Sequence, residues 1–285
     1  MLIVSVRLAI LVVGLLVITS SGAHAVPVVF SAGGSTPASI QATVDAFRAS
    51  LGAVNNGNAP GPLFSGRREI NWDGGGAVTP TVTGTPLTAF ENIRGAIFTT
   101  NGTGFVQASP ADLATQFANP SYSALFTTFS PLRLFTPIGS NQTEGVFSIP
   151  GTSGLVLAPV SGFGAVFTDV DLANTTSIQY FDASNTSLGT FFVPPGVPGA
   201  ASNQSLSFLG VSFTTERISR VKITTGNSSL GPNEAGGLDL VVMDDFIYSE
   251  PQSIVPEPTT LLLLGTGLLG LGVWRCRRRS LANSQ

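Results

Sequence analysis

The chain has 285 residues, 43% of them hydrophobic and only 10% charged, against roughly a quarter charged in an ordinary soluble domain. Its one histidine, His24, and one cysteine, Cys276, both fall in terminal segments that read as signals. Residues 26–250 therefore contain neither residue type, which excludes a Ser-His-Asp triad, a thiol nucleophile, a disulfide framework, a zinc site and a thiolate-held iron–sulfur cluster.

Residues 1–25 read MLIVSVRLAILVVGLLVITSSGAHA. One cation, Arg7, precedes the apolar run 8–18, and small residues ending in Ala23-His24-Ala25 follow. That is the pattern of a secretory signal peptide cleaved after Ala25. The run is shorter than the ~20 residues a spanning helix needs. Residues 26–250 hold eight basic and fifteen acidic residues, a net charge of −7. An acidic segment with one lysine is unsuited to nucleic acid, which needs clustered cations to displace counterions.

Within that segment, Thr36-Pro37 supplies a helix start, and Ile40, Val44, Phe47 and Leu51 recur at helical spacing up to Gly52. Residues 55–62 (NNGNAPGP) form a turn-rich loop, and residues 110–118 suggest a second short helix. Elsewhere two-residue alternation dominates, broken by Gly, Pro, Asn and Ser. It predicts strands over 69–72, 96–99, 132–135, 145–149, 164–170, 177–181, 189–193, 205–213, 218–224 and 240–248, with a hairpin loop at 182–188. Short strands at such spacing indicate an all-β, antiparallel sandwich or barrel with one or two short helices.

Two groups of side chains stand out on these strands. In NWDGGG (71–76), Trp72 is placed to stack on a sugar ring and Asp73 to accept a hydroxyl, although a core tryptophan at a strand end accounts for the same pattern. Arg67-Arg68-Glu69 reads as a solvated strand start. Asp169 and Asp171 are two apart and share a strand face, and Asp244 and Asp245 lie in the last strand. These four hard oxygen donors suit one cofactor, a structural Ca²⁺, against the plainer reading of strand-end acids that are solvated or paired to Arg217 and Arg220. Paired carboxylates could also serve a glycosidase, but nothing in the sequence sets their separation. Six Asn-x-Ser/Thr triplets, at Asn101, Asn141, Asn174, Asn185, Asn203 and Asn227, read as turn composition.

Residues 162–249 carry the segments GFGAVFTDVD, IQYFDASNTSLGTFFVP, SLSFLGVSF, ISRVKITTG and VVMDDFIYSEP. They resemble jelly-roll sandwiches related to galactose-binding-like and carbohydrate-binding modules, in which a carboxylate on the last strand often ligates calcium. The resemblance implies a jelly-roll-like β-sandwich.

The end of the chain has three parts: Pro256-Glu257-Pro258 after a linker from 251, an apolar segment over 259–274, and Arg275-Cys276-Arg277-Arg278-Arg279 opening a tail that runs to 285. Sixteen residues are marginal for crossing ~30 Å of hydrocarbon at 1.5 Å per residue. The four arginines resist translocation and hold that end in the cytoplasm. Cys276 among them reads as an inert thiol.

The same three parts, in the same order, resemble the PEP-CTERM sorting signal, a tail also called the ice-binding protein C-terminal domain. No ice binding follows from that label. The resemblance implies that Pro256, Glu257 and Pro258, with Arg275, Arg277, Arg278 and Arg279, form the sorting motif. It implies recognition by an exosortase, a membrane-embedded transpeptidase-like protease, after signal peptidase has acted at the other end. It also implies an inner-membrane-anchored precursor that passes to the cell surface or matrix of a Gram-negative, exopolysaccharide-making bacterium. The sequence reading is then a non-catalytic protein, structural or adhesive in an exopolysaccharide matrix. A carbohydrate-binding module is the alternative, and a carbohydrate-active enzyme the third reading.

Overall fold

The structure is a computed structural model that describes residues 26–253 except 75, 77, 78, 198–202, 216, 234 and 235, together with 265 and 267. The signal peptide at 1–25 and the apolar helix and arginine tail expected at 259–285 lie outside the described residues, apart from 265 and 267. Among the described residues no helix is long and apolar enough to cross a membrane.

In chain order the elements are β1 (Val28–Gly34), α1 (Pro37–Leu51), β2 (Arg67–Ile70), β3 (Thr81–Thr83), α2 (Glu91–Arg94), β4 (Ala96–Thr99), β5 (Gly104–Ala108), α3 (Pro110–Gln116), α4 (Tyr122–Leu125), β6 (Leu134–Ile138), β7 (Gln142–Phe147), β8 (Gly162–Thr168), β9 (Ser177–Phe181), β10 (Ser187–Phe192), β11 (Leu206–Ser212), β12 (Arg220–Thr224) and β13 (Val242–Ser249). All strand pairs are antiparallel. The larger sheet runs β1–β11–β8–β13–β6–β5–β3, with β2 also paired to β13, and the smaller runs β10–β9–β12–β7–β4. The fold is the all-β sandwich that the alternation predicts.

The two sheets face each other across a core rich in aromatic rings, including Trp72, Phe98, Phe135, Phe163, Phe246 and Tyr248. The larger sheet is covered on its other face as well. There α1 buries Ile40, Val44, Phe47 and Leu51 against Val166, Leu206, Phe208 and Ile247. Farther along, α3 and α4 bury Leu113, Tyr122 and Leu125 against Val106, Leu134 and Val242. Burial from both sides explains why every residue of β5, β8, β11 and β13 is buried, whereas β7 and β9 alternate.

One pair of glycines sets where α1 sits. Gly164 and Gly210 lie opposite each other on β8 and β11, and the Phe47 ring rests over them. A Cβ on Gly210 would come within 2.8 Å of that ring, and one on Gly164 within 2.9 Å. The ring also meets Phe30 edge-on at 5.4 Å. Seated this way, α1 brings Arg48 to the acids of β13. The expected Thr36 start is correct, but its hydroxyl bonds the Ser39 hydroxyl (2.8 Å) rather than capping a backbone N–H.

Candidate functional site

The acids group around an interruption in β13. Met243 pairs with Phe135 of β6, and from Phe246 onward the same side of β13 pairs with β2 instead. Asp244 and Asp245 occupy the step between. On the opposite side the register with β8 shifts by one residue there, so the two aspartates face Val166 alone. This is a β-bulge, and it turns two adjacent side chains to the same, helix-covered face of the sheet.

Their partners come from that face. Asp244 Oδ2 accepts from the Phe129 N–H at 2.6 Å, and Asp245 Oδ2 lies 3.4 Å from Arg48 Nη2. The Ser130 hydroxyl stands 2.7 Å from Asp245 Oδ1, 3.2 Å from Asp244 Oδ1 and 3.4 Å from Asp73 Oδ2. It has one proton to donate, and Asp245 is nearest. Asp73 closes the seam between β2 and β6: its Oδ1 accepts from the Leu132 and Arg133 N–H groups, and its Oδ2 from Asn71 Nδ2 at 2.8 Å. The carboxylates thus satisfy backbone donors that no neighbouring strand reaches at this break.

Asp244, Asp73 and Asp245 are 0%, 5% and 4% exposed. Burial pushes the Asp244 carboxyl well above the usual range, and the neighbouring Asp245 pushes it the same way. Burial raises Asp245 too, against the pull of Ser130 and Arg48. Asp244, fully buried and with no cation bonded to it, is the carboxyl pushed further toward its neutral form, while Arg48 draws Asp245 toward the charged one. Enclosed and fully engaged, the group is built to close a seam.

The other predicted acids lie elsewhere. Asp169 follows β8, and its N–H donates to Ser205 O at 3.0 Å. The Asp171 N–H donates to Asp239 Oδ1 at 3.0 Å, and Asp239 also accepts from the Thr175 hydroxyl. Asp239, which the sequence reading passed over, is 1% exposed, and burial raises its carboxyl. The four aspartates expected to share a calcium ion do not converge. Among the described residues no group of three or more His, Cys, Asp or Glu side chains is arranged to hold a metal ion. The donor set does not fit one calcium ion because the bulge directs Asp244 and Asp245 to the helix side, away from the loop in which the Asp171 N–H is bonded to Asp239. Nor do Arg217 and Arg220 pair with these acids: Arg220 lies over the Phe181 ring and bonds Glu144, and Arg217 lies over Phe213.

Trp72 is not placed for a sugar. It is 1% exposed, and its ring stacks on Phe135 at 3.7 Å and meets Phe90, Phe98 and Phe246 edge-on. Its Nε1–H donates to Asp244 O at 3.0 Å. Both faces and the polar edge are occupied. Its backbone is held at φ +63°, a conformation that bulky residues rarely adopt.

Arg68 is likewise buried rather than solvated. It forms a two-point ion pair with Glu250, Nε to Oε2 at 2.7 Å and Nη2 to Oε1 at 2.8 Å, with both side chains within 1% of complete burial. Glu250 also accepts from Asn56 Nδ2 and the Leu63 N–H. No local signal marks this pair, since its members are 182 positions apart.

Pro256, Glu257, Pro258, Arg275, Arg277, Arg278 and Arg279 lie outside the described residues. Residues 255–279 match the PEP-CTERM protein-sorting motif. No curated protein and no solved structure matches the chain. The chain carries a PEP-CTERM sorting domain, which marks it for export through the exosortase system by way of a membrane-anchored precursor.

Proposed function

We propose that this exported PEP-CTERM sorting-domain protein delivers a non-catalytic sandwich that serves as a structural or adhesive component of an exopolysaccharide matrix. The observation that carries the reading is the state of the three converging carboxylates. Asp73, Asp244 and Asp245 are at most 5% exposed and are committed to the seam between β2, β6 and β13. A glycoside hydrolase needs two carboxyl groups flanking the scissile bond, and a sugar-binding module needs open aromatic faces. Trp72 and Asp73, the pair that suggested sugar binding, are both enclosed. Signal peptidase and exosortase are then processing partners, and exopolysaccharide of the cell surface is the medium in which the domain acts.

The test is complementation in the producing cells. Cells without the chain should form a matrix that disperses at lower shear. Asp244→Asn, which keeps the shape of the protonated carboxyl and removes its proton-transfer chemistry, should restore cohesion as fully as the natural chain. If Asp244→Asn is exported at normal levels yet leaves the matrix weak, that carboxyl performs chemistry and the non-catalytic reading fails.

A further inference from the structure

The described residues expose six large apolar side chains on segments gathered at one end of the sandwich. Val54 and Phe64 precede β2, Ile93 belongs to α2, and Leu155, Val156 and Leu157 follow β7. Phe64 is 107% exposed, Leu155 87% and Leu157 70%. Hydrogen bonds tie these segments together: Gly61 N–H to Pro150 O (2.9 Å), Gly151 N–H to Asn92 O (2.7 Å), and Arg68 Nη1 to Gly57 O (2.8 Å) and Ile93 O (3.3 Å).

The chain leaves the domain at this same end. The Glu250 N–H donates to Gly66 O and the Gln252 N–H to Pro159 O, each at 3.0 Å, and Gln252 Nε2 donates to Leu63 O. Only residues 254–258 separate this exit from the apolar segment at 259–274. Five residues reach at most ~18 Å. Whatever holds the apolar segment therefore lies within that distance of the exit beside Phe64 and Leu155.

A cluster of exposed apolar side chains marks an interaction surface. These side chains protrude from three segments: the loop before β2, helix α2 and the loop after β7. Protruding Phe and Leu suit a partner that deforms around them, and the bilayer interface takes up such side chains readily. We propose that in the membrane-anchored precursor this end of the domain rests on the lipid surface, with Phe64, Leu155 and Leu157 entering the interface. The inference rests on the anchored-precursor reading of the tail. It would hold residues 254–258, with the Pro-Glu-Pro motif, at the level where a membrane-embedded protease works.

Since Cys276 is the only cysteine, a Cys276→Ser background of the full chain permits single-site labelling. Phe64→Cys, Leu155→Cys, Phe192→Cys and Leu264→Cys would each carry a nitrobenzoxadiazole label in phosphatidylcholine–phosphatidylglycerol vesicles containing doxyl-lipid quenchers. Phe192, half-exposed at the far end of β10 from its hairpin loop, is the control, and Leu264 reports insertion of the tail. The expected result is a blue shift and severalfold stronger lipid quenching at 64 and 155 than at 192, with 264 quenched as well. Quenching at 264 with 64 and 155 matching 192 would overturn the surface contact and leave the anchor standing. A blue shift at 155 without lipid quenching would mean that protein, either the tail or a second copy, covers the patch, and would also overturn it. An unquenched 264 would remove the anchored reading and the proposal together.

Discussion

Glu250 is the last charged residue before the tail, and its carboxylate holds three segments at once through Arg68, Asn56 and the Leu63 N–H. Removing one partner of a buried ion pair leaves an uncompensated charge in a medium that solvates it poorly, at a cost of about 3–5 kcal/mol. Glu250→Gln in the full-length chain should therefore lower the urea unfolding free energy by about that amount, whereas Asp45→Asn on the exposed side of α1 should change it little. Equal stability of the two variants would show that the pair contributes nothing.

Asp244 gives a test with a definite sign. Its carboxyl, like those of Asp245 and Asp239, is raised by burial. Above the unfolded value of ~3.9 the folded state therefore binds more protons than the unfolded chain. The stabilisation is complete below that value and is lost as pH rises through the folded value. Melting temperature should be higher at pH 5 than at pH 8, and Asp244→Asn should flatten the difference. A melting temperature that rises with pH, or a slope unchanged in Asp244→Asn, would refute the proton assignment.

At the scale of elements, α1 depends on one ring over a bare patch of sheet. Phe47→Ala removes that ring from Gly164 and Gly210 and should cost about 3–5 kcal/mol. Gly210→Ala forces the ring off its seat and should cost about 1–3 kcal/mol. Urea unfolding followed by fluorescence would read both. A neutral Phe47→Ala would mean that the helix is held by something else.

This helix was legible in the sequence because one face meets the sheet and the other meets water, so its four buried residues stand at helical spacing. β4 and β9 were legible to the residue for a similar reason: their burial alternates or nearly so. In β8, β11 and β13 both faces are buried, so alternation is lost and the expected ends drift by one or two residues. β1 was missed because it is an edge strand of mixed exposure that ends in Gly33-Gly34, and β3 and β5 were missed as well. The bulge left no trace either. On a regular strand adjacent aspartates point to opposite faces, so nothing in Asp244-Asp245 announces that both face Ser130. Trp72 carried two readings: the core tryptophan at a strand end is the one the structure shows, and the sugar-stacking one arose because Asp73 and Gly74–76 suggest an open turn, while Phe90, Phe98, Phe135 and Phe246 arrive from elsewhere in the chain.

For the whole molecule, the charge divides with the function. Residues 26–250 carry −7, and five of the thirteen cations lie in the terminal segments. The acidic part contains the sandwich, and the matched sorting motif spans 255–279. The domain closes on itself at Glu250 and Gln252, just before that motif begins, so a cut within the motif leaves every described strand intact. The central claim is that the sandwich reaches its destination by losing the tail. Intact-mass measurement of the protein recovered from the cell surface or medium tests this most directly. The account predicts a chain that starts at Val26 and ends between residues 256 and 260. Recovery of only full-length chains, with residues 275–279 still attached, would contradict it.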